Sequence, residues 1–485
     1  MNHVLSGLAA NAALPSELVD RLIAVADADA DVAHELAGRK DLRHAQAVAL
    51  FTRARESGVR LAYMGKLTAA DVDPLADPDT ALALLDEGRG SPEWARVLVV
   101  DPVAWRREKL AACRGLPDDV VETLAADSER DVVVELALWT TAAAAARLAD
   151  HPHAEVRRAV AANEATPPHV LAALLLTGEG PGASRQSSQE SGIESIQVAA
   201  LRNPATPTEA VVGFADHPAT WIRRTLAARP DLPPQVCLRL AADPVPGVRA
   251  DLAENPTIGE DVIRVLAGDG HRQVRRSLAY HPRVPIDVLI ELAATSELGG
   301  VRLPRVSAAS RAEMEELARS RDPEVRALVA QRRDLPPAIR DALACDPDAK
   351  VVKSVAPHRG LTEGRLRAMA DRYGVMVLAK VAANPDATPE LLEHLARRSP
   401  PLHKVLKEIA RHRNASADAL IACLADRHAK PPAALHPALP PRVMVQLLSD
   451  PEPRVAGAAA ANPSLPRAVM EDLVARLETP AGASG

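Results

Sequence analysis

Aromatic side chains are almost missing. Phe, Tyr and Trp together make up 2% of a 485-residue chain that is 47% hydrophobic. Irregular enzyme cores use large rings to fill space. A core of Ala, Val and Leu suits many similar thin layers instead. Cysteine is nearly as scarce: Cys113, Cys237, Cys345 and Cys423 are the four in the chain. No two of them have metal-ligand spacing, and their number excludes a disulfide scaffold. Buried structural thiols are expected. No apolar run approaches the 18 or so residues of a membrane span. The N-terminal stretch MNHVLSGLAANAALPSELVD has no basic segment leading into a long apolar one. A cytoplasmic protein with no membrane contact is therefore expected. There is no GxxxxGK[ST] phosphate loop and no local Ser/His/Asp motif, so neither a cofactor nor a catalytic residue is assigned and the chain is read as a non-enzyme.

Glycine is outnumbered by proline, 24 against 41. Prolines placed at regular intervals can start and stop short helices without breaking them inside. The net charge of -6 is mild. It argues against a dedicated nucleic-acid coat but permits a local basic patch. Lys+Arg minus Asp+Glu is 24 − 33 = −9 over residues 1–242 and 34 − 31 = +3 over 243–485. Arginine (49) far exceeds lysine (9); with the abundant alanine this points to a GC-rich bacterial genome.

A chain this long exceeds one closed core, and its internal order is plain. VRRAVAANEATPPHVLAALL begins at Val156, IRRTLAARPDLPPQVCLRLA at Ile222 and VRADLAENPTIGEDVIRVLA at Val248. Aligned on the residue that ends the first helix, the copies fall at Asn163, Asn203, Arg229, Asn255, His281, Arg332, His358, Asn384, His412, His436 and Asn462. Most steps are 26 residues. The 51-residue gap from 281 to 332 fits one eroded copy near Ser307. The 40-residue gap from 163 to 203 fits a repeat with an insertion. Weaker copies place Trp139, Cys113, Glu87, Met64, Arg39 and Asn11 at the same point, giving about eighteen repeats.

Each repeat reads as two short helices. Val156, Val160 and Ala161 form an apolar stripe on the first. Thr166 before Pro167 is read as an N-cap with proline in the first turn. Val170, Leu171 and Leu174 face a core from the second. Asp-Pro pairs such as Asp243-Pro244 and Asp346-Pro347 stop it. Two short helices cannot bury their apolar faces alone, but stacked copies can, which makes the fold an all-α solenoid.

The pattern DP-x-x-x-VRRAVAANP-x-TPP-x-VL-x-x-LA resembles the variant leucine-rich repeat family, an α-solenoid class akin to HEAT repeats. The resemblance is best from about 150 to 475. It implies a right-handed superhelix of two-helix repeats of roughly 26 residues. The founding type of that family carries an N-terminal cysteine cluster for an iron–sulfur centre. This chain lacks the cluster, so no such centre is carried over. Residues 1–150 are read as degenerate repeats, 151–477 as well-formed ones with a mobile loop at 178–192, and 478–485 as a disordered tail.

Several residues stand out against the period. Asp243 and Arg249, and Asp269 and Arg275, are six apart; Asp150 and Arg157, and Asp216 and Arg223, are seven apart. They are read first as a carboxylate–guanidinium ladder inside the stack. The second arginine of each pair, Arg158, Arg224 and Arg276, lacks an evident partner and is a candidate for a phosphate backbone. The Asn and His residues at the repeat ends are read as caps for free backbone groups. Histidines in successive layers stand too far apart to share a metal. Residues 350–413 hold 13 Lys+Arg against 6 Asp+Glu; Lys353, Arg397, Arg398, Lys404, Lys407 and Arg411 are the candidates there, for a solvated face or for an acidic protein or nucleic acid. Trp221 stands where other repeats carry Glu155, Gly247, Gln273 and Glu324, and is either an exposed anchor or packed on the next layer.

The expected function is a repeat scaffold that binds another protein along its concave face. The alternative is a nucleic-acid-binding, HEAT-like protein of the DNA-repair kind, using the arginine row and the 350–413 patch.

Overall fold

The computed structural model describes residues 2–177, 196–295 and 302–478. Among these residues the chain is helical throughout, with no strand. Among the described residues the helices follow one another in pairs, from Asn2–Ala10 with Ser16–Ala24 to Pro453–Ala460 with Arg467–Glu478. The eroded copy expected near Ser307 is present as the short helix Pro304–Ser307 followed by Arg311–Ala318. The loop expected at 178–192 and the last seven residues of the expected tail lie outside the described residues.

The repeat sequence explains each pair. Val156, Val160 and Ala161 are fully buried, and Leu171 and Leu174 meet them from the second helix. Proline sits at the first helical positions of Pro234–Ala241, Pro323–Ala330, Pro337–Leu343 and Pro389–Ala396. There its missing N–H costs nothing. Thr388 caps its helix by accepting from Leu391 N. Thr166 does not cap. Its buried hydroxyl turns inward and donates to Val160 O at 2.6 Å, as Thr206 does to Ala200 O at 2.5 Å. With proline next in the chain, an inward turn satisfies a carbonyl at the end of the first helix, which is worth more when buried.

The helices divide into two compact units. One is continuous, Asp73–Arg332. The other is built from both ends of the chain, Met1–Val72 together with Arg333–Gly485. In the continuous unit, from Pro78–Asp86 to Arg272–Ala279, first helices pack on the first helix of the next repeat, as Pro246–Glu254 does on Arg272–Ala279.

The split unit stacks in the same way, but its order in space is not its order in sequence. Its last first-helix, Pro453–Ala460, packs against the first helix of the chain, Asn2–Ala10. Leu5, Leu8 and Ala9 are buried there with Val455 and Ala459. Gly7 and Gly457 let the two backbones approach. A Cβ on Gly7 would collide with the Gly457 carbonyl, and one on Gly457 would lie 3.0 Å from His3 O. Glycine inside a helix costs roughly 1 kcal/mol relative to alanine, and this close approach is what it permits. Arg467 and Glu17 form an ion pair between the paired second helices. The N-terminal repeat is thus the layer that follows the C-terminal one.

Candidate functional site

A ladder of side chains on backbone carbonyls joins the layers. Asn255 Nδ2 donates to Ala227 O at 2.9 Å and Arg229 O at 2.6 Å, and its Oδ1 accepts from Thr257 N. Asn163, Asn203, Asn384 and Asn462 repeat that arrangement on the layer before each. Arg229 does the same work with its guanidinium, on Leu201 O and Asn203 O. Arg332 takes Val306 O and Ala309 O. His281, His412 and His436 each place Nε2 on the carbonyl of the preceding ladder residue and Nδ1 on a backbone N–H two residues on. Burial lowers the pKa of His281 and of His436. A neutral ring can serve both neighbours at once.

The ladder crosses the chain ends. Asn11 Nδ2 donates to Ala460 O at 2.9 Å and Asn462 O at 2.8 Å, and Arg39 Nη1 in turn to Ala9 O and Asn11 O, each at 2.8 Å. Other weak copies have lost the residue. Met64 is exposed, and Lys66 reaches back to Lys40 O and Leu42 O in its place. Trp139 points outward onto Glu135, and Asn163 uses the carbonyl of Thr140 instead. Glu87 is also exposed.

The arginine–aspartate ladder exists with a different pairing. Arg223 binds Asp243 through two bonds, at 2.6 and 3.1 Å, and Arg249 binds Asp269 at 2.6 and 3.0 Å. Each carboxylate belongs to the next repeat, 20 residues on. The six-residue spacing reflects something else: Arg249 Nη1 donates to the backbone carbonyl of Asp243, and Arg275 Nη1 to that of Asp269. Arg107 and Asp127 extend the pattern. The two bonds from Arg249 hold the Asp269 carboxyl below its ordinary range against the opposing effect of burial. These groups join one layer to the next.

The candidate binding residues separate into two groups. Arg224 is not a free cation: it binds Asp251 across the layer boundary at 2.6 and 3.2 Å. Arg158 is half-buried, and its Nε is buried without a partner. Arg276 is exposed and, among the described residues, unpaired. The three do not form a row of equivalent free cations. Arg397 pairs with Glu393 and Asp418, and Arg398 with Asp371. Lys353, Lys404, Lys407 and Arg411 are exposed and have no ion pair among the described residues.

Trp221 is 41% exposed. Trp105 occupies the same position in its repeat, two residues before Arg107 as Trp221 is two before Arg223, and is 48% exposed. Sequence reasoning missed Trp105, although its spacing to Arg107 was sufficient to find it. Arg106 lies over its ring, 5.4 Å from the centroid.

Three cysteines are buried as expected, and burial pushes the Cys113 and Cys423 thiols up to about 12. Cys345 departs from the expectation and is exposed, because it follows the short second helix Pro337–Leu343 into the turn. No cluster of His, Cys, Asp or Glu that could hold a metal occurs among the described residues. Nor is any described helix long and apolar enough to cross a membrane.

Stacked helical pairs and a ladder of side chains on backbone carbonyls that recurs from repeat to repeat define an α-solenoid of helical-hairpin repeats. The chain is similar to a solved structure described as a leucine-rich repeat variant with a novel repetitive protein structural motif. The two are 20% identical, over 49% of this chain and 85% of that one, with a TM-score of 0.30. At that score the fold stands on the chain's own repeat geometry. No family model and no curated protein matches the sequence.

Proposed function

We propose that this chain is a non-catalytic scaffold that holds another protein along the outward row of its first helices. The supporting observation is the pair Trp105 and Trp221, in one repeat register and each nearly half exposed. Tryptophan is enriched among the residues that dominate protein interfaces, where its large apolar surface leaves water. The groups best suited to chemistry are used structurally. His281 and His436 have both ring nitrogens bonded to backbone, and the buried thiols are far from thiolate formation. Arg224 is neutralised by Asp251, which weakens the alternative of an arginine row on nucleic acid.

The test is capture by the tagged full-length chain from its host, with and without nuclease, beside a variant carrying Trp105→Ala and Trp221→Ala. A protein that survives nuclease and is lost from the variant supports the reading. Recovery that depends on nucleic acid, or that ignores the tryptophans, overturns it.

A further inference from the structure

Lysine is the rare cation of this chain, yet its distribution is uneven. Six of the nine lysines, Lys350, Lys353, Lys380, Lys404, Lys407 and Lys430, fall within residues 350–430. Lys430 is used on Asp450. The exposed ones lie on three successive first helices of the split unit. Lys353 is in Ala349–Val355, Lys380 in Leu378–Ala382, and Lys404 and Lys407 in His403–Ile409, with Arg411 just beyond. Neighbouring helices of this set pack on one another. Counted from the ladder residues His358 and His412, Lys353 and Lys407 both stand five before, at one helical position; Lys380 stands four before Asn384, one residue further round its helix.

Elsewhere the chain matches such cations across layers, as in Arg224–Asp251, Arg106–Asp79 and Arg130–Glu155. Here it does not. Lys353, Lys380, Lys404, Lys407 and Arg411 have no ion pair among the described residues. Glu408, next in the chain to Lys407, is half-buried, and Asp348 caps its own helix. In the middle layer, in the turn Gly374–Met376 just before Leu378–Ala382, sit two exposed apolar residues, Val375 at 72% and Met376 at 57%.

An apolar centre with a rim of one charge is the anatomy of a protein interface. Methionine adapts to varied partners. Lysine lacks the planar fork with which arginine grips phosphate, and the one Tyr, Phe or Trp of residues 350–413, Tyr373, is half-buried, with Arg372 over its ring and its hydroxyl donating to Asp346 O. We infer that Val375, Met376 and the surrounding lysines form a docking site for an acidic polypeptide segment with apolar residues flanked by carboxylates. The site lies in the split unit and is independent of the tryptophan row.

Fluorescence anisotropy with the full-length chain tests this. The probe is a labelled peptide of leucines alternating with glutamate pairs. Leucine-free polyglutamate and oligothymidylate of equal charge are the controls. The leucine–glutamate peptide should bind most tightly and weaken with salt. Lys353→Glu, Lys380→Glu and Lys407→Glu together should weaken it more than about tenfold, and Met376→Asp alone by several-fold. Circular dichroism checks that both variants fold, and Trp105→Ala with Trp221→Ala should leave binding unchanged. Absence of binding, binding untouched by the folded variants, or equal affinity for either control would overturn the assignment.

Discussion

The two units use one kind of layer and differ in how consecutive layers are joined. In the continuous unit, the layer of Asn255 follows that of Arg229 along 26 residues of chain, and the side chain of Asn255 then closes on Ala227 O and Arg229 O. In the split unit, the layer of Asn11 follows that of Asn462 across 451 residues. The geometry is the same: Asn11 reaches Ala460 O and Asn462 O at 2.9 and 2.8 Å. Covalent continuity is therefore not what makes a layer. Stacking needs two apolar helix faces and a donor at the ladder position, and both are present at the seam. What the seam adds is the glycine contact of Gly7 with Gly457, where a tethered layer such as that of Arg276 carries larger side chains.

The comparison is broken most severely at those glycines. Gly457→Leu puts a branched side chain into the backbone of Asn2–Ala10. Overpacking of this kind costs about 3 kcal/mol. The variant should show a separate, early unfolding step that the wild type lacks at equal denaturant, seen by circular dichroism together with proteolysis of residues 2–24. Gly364, exposed on its helix with open space around its Cα, is the control, and Gly364→Ala should be neutral or stabilising by a few tenths of a kcal/mol.

Asp269→Asn comes next. It removes the charge from a carboxylate that is 7% exposed and bonded twice by Arg249, leaving a guanidinium without its counter-ion. A loss of about 2 kcal/mol is expected in urea unfolding. Because the folded carboxyl titrates below its unfolded value, its contribution is complete above the unfolded pKa and is lost as pH falls through the folded one. The variant and wild type should therefore converge in stability at low pH.

The histidine layers give the smallest effect. His281 titrates below the ordinary histidine value of 6.5 because burial disfavours the imidazolium. Protons then bind the unfolded chain better, so the stabilisation is complete above that value and declines as pH falls below it. His281→Asn keeps a ladder donor of the type used at Asn255. It should change stability by less than about 1 kcal/mol at pH 8 and flatten the decline between pH 6.5 and 5, measured by thermal melting across pH.

The sequence made the layers legible, because a ladder side chain must stand at the same place in every repeat. Asn163, Asn203, Asn255, Asn384 and Asn462 mark it, and Asn11 and Arg39 could be found by counting back. Partners were less legible. The spacing of Asp243 to Arg249 pointed to pairing within and between repeats, without saying which carboxylate meets which arginine. The real partner of Arg249 is Asp269 in the next, since a guanidinium reaching one layer forward meets the carboxylate that begins the following first helix. Arg224 seemed free for the same reason: Asp251 lies 27 residues away. The seam had no local signal at all. A contact over some 450 residues leaves no periodicity, and its traces were two helical glycines and an asparagine in register.

Amide hydrogen exchange on the helix Pro453–Ala460, in the wild type and in Asn11→Ala, tests the central claim most directly. If the N-terminal repeat is the next layer, removing the Asn11 amide leaves the Ala460 and Asn462 carbonyls unpaired at a cost of about 2 kcal/mol. Protection should then fall in both 2–10 and 453–460 while 272–279 keeps its rates. Wild-type protection at 453–460 in a variant whose 2–10 segment exchanges freely would contradict the account.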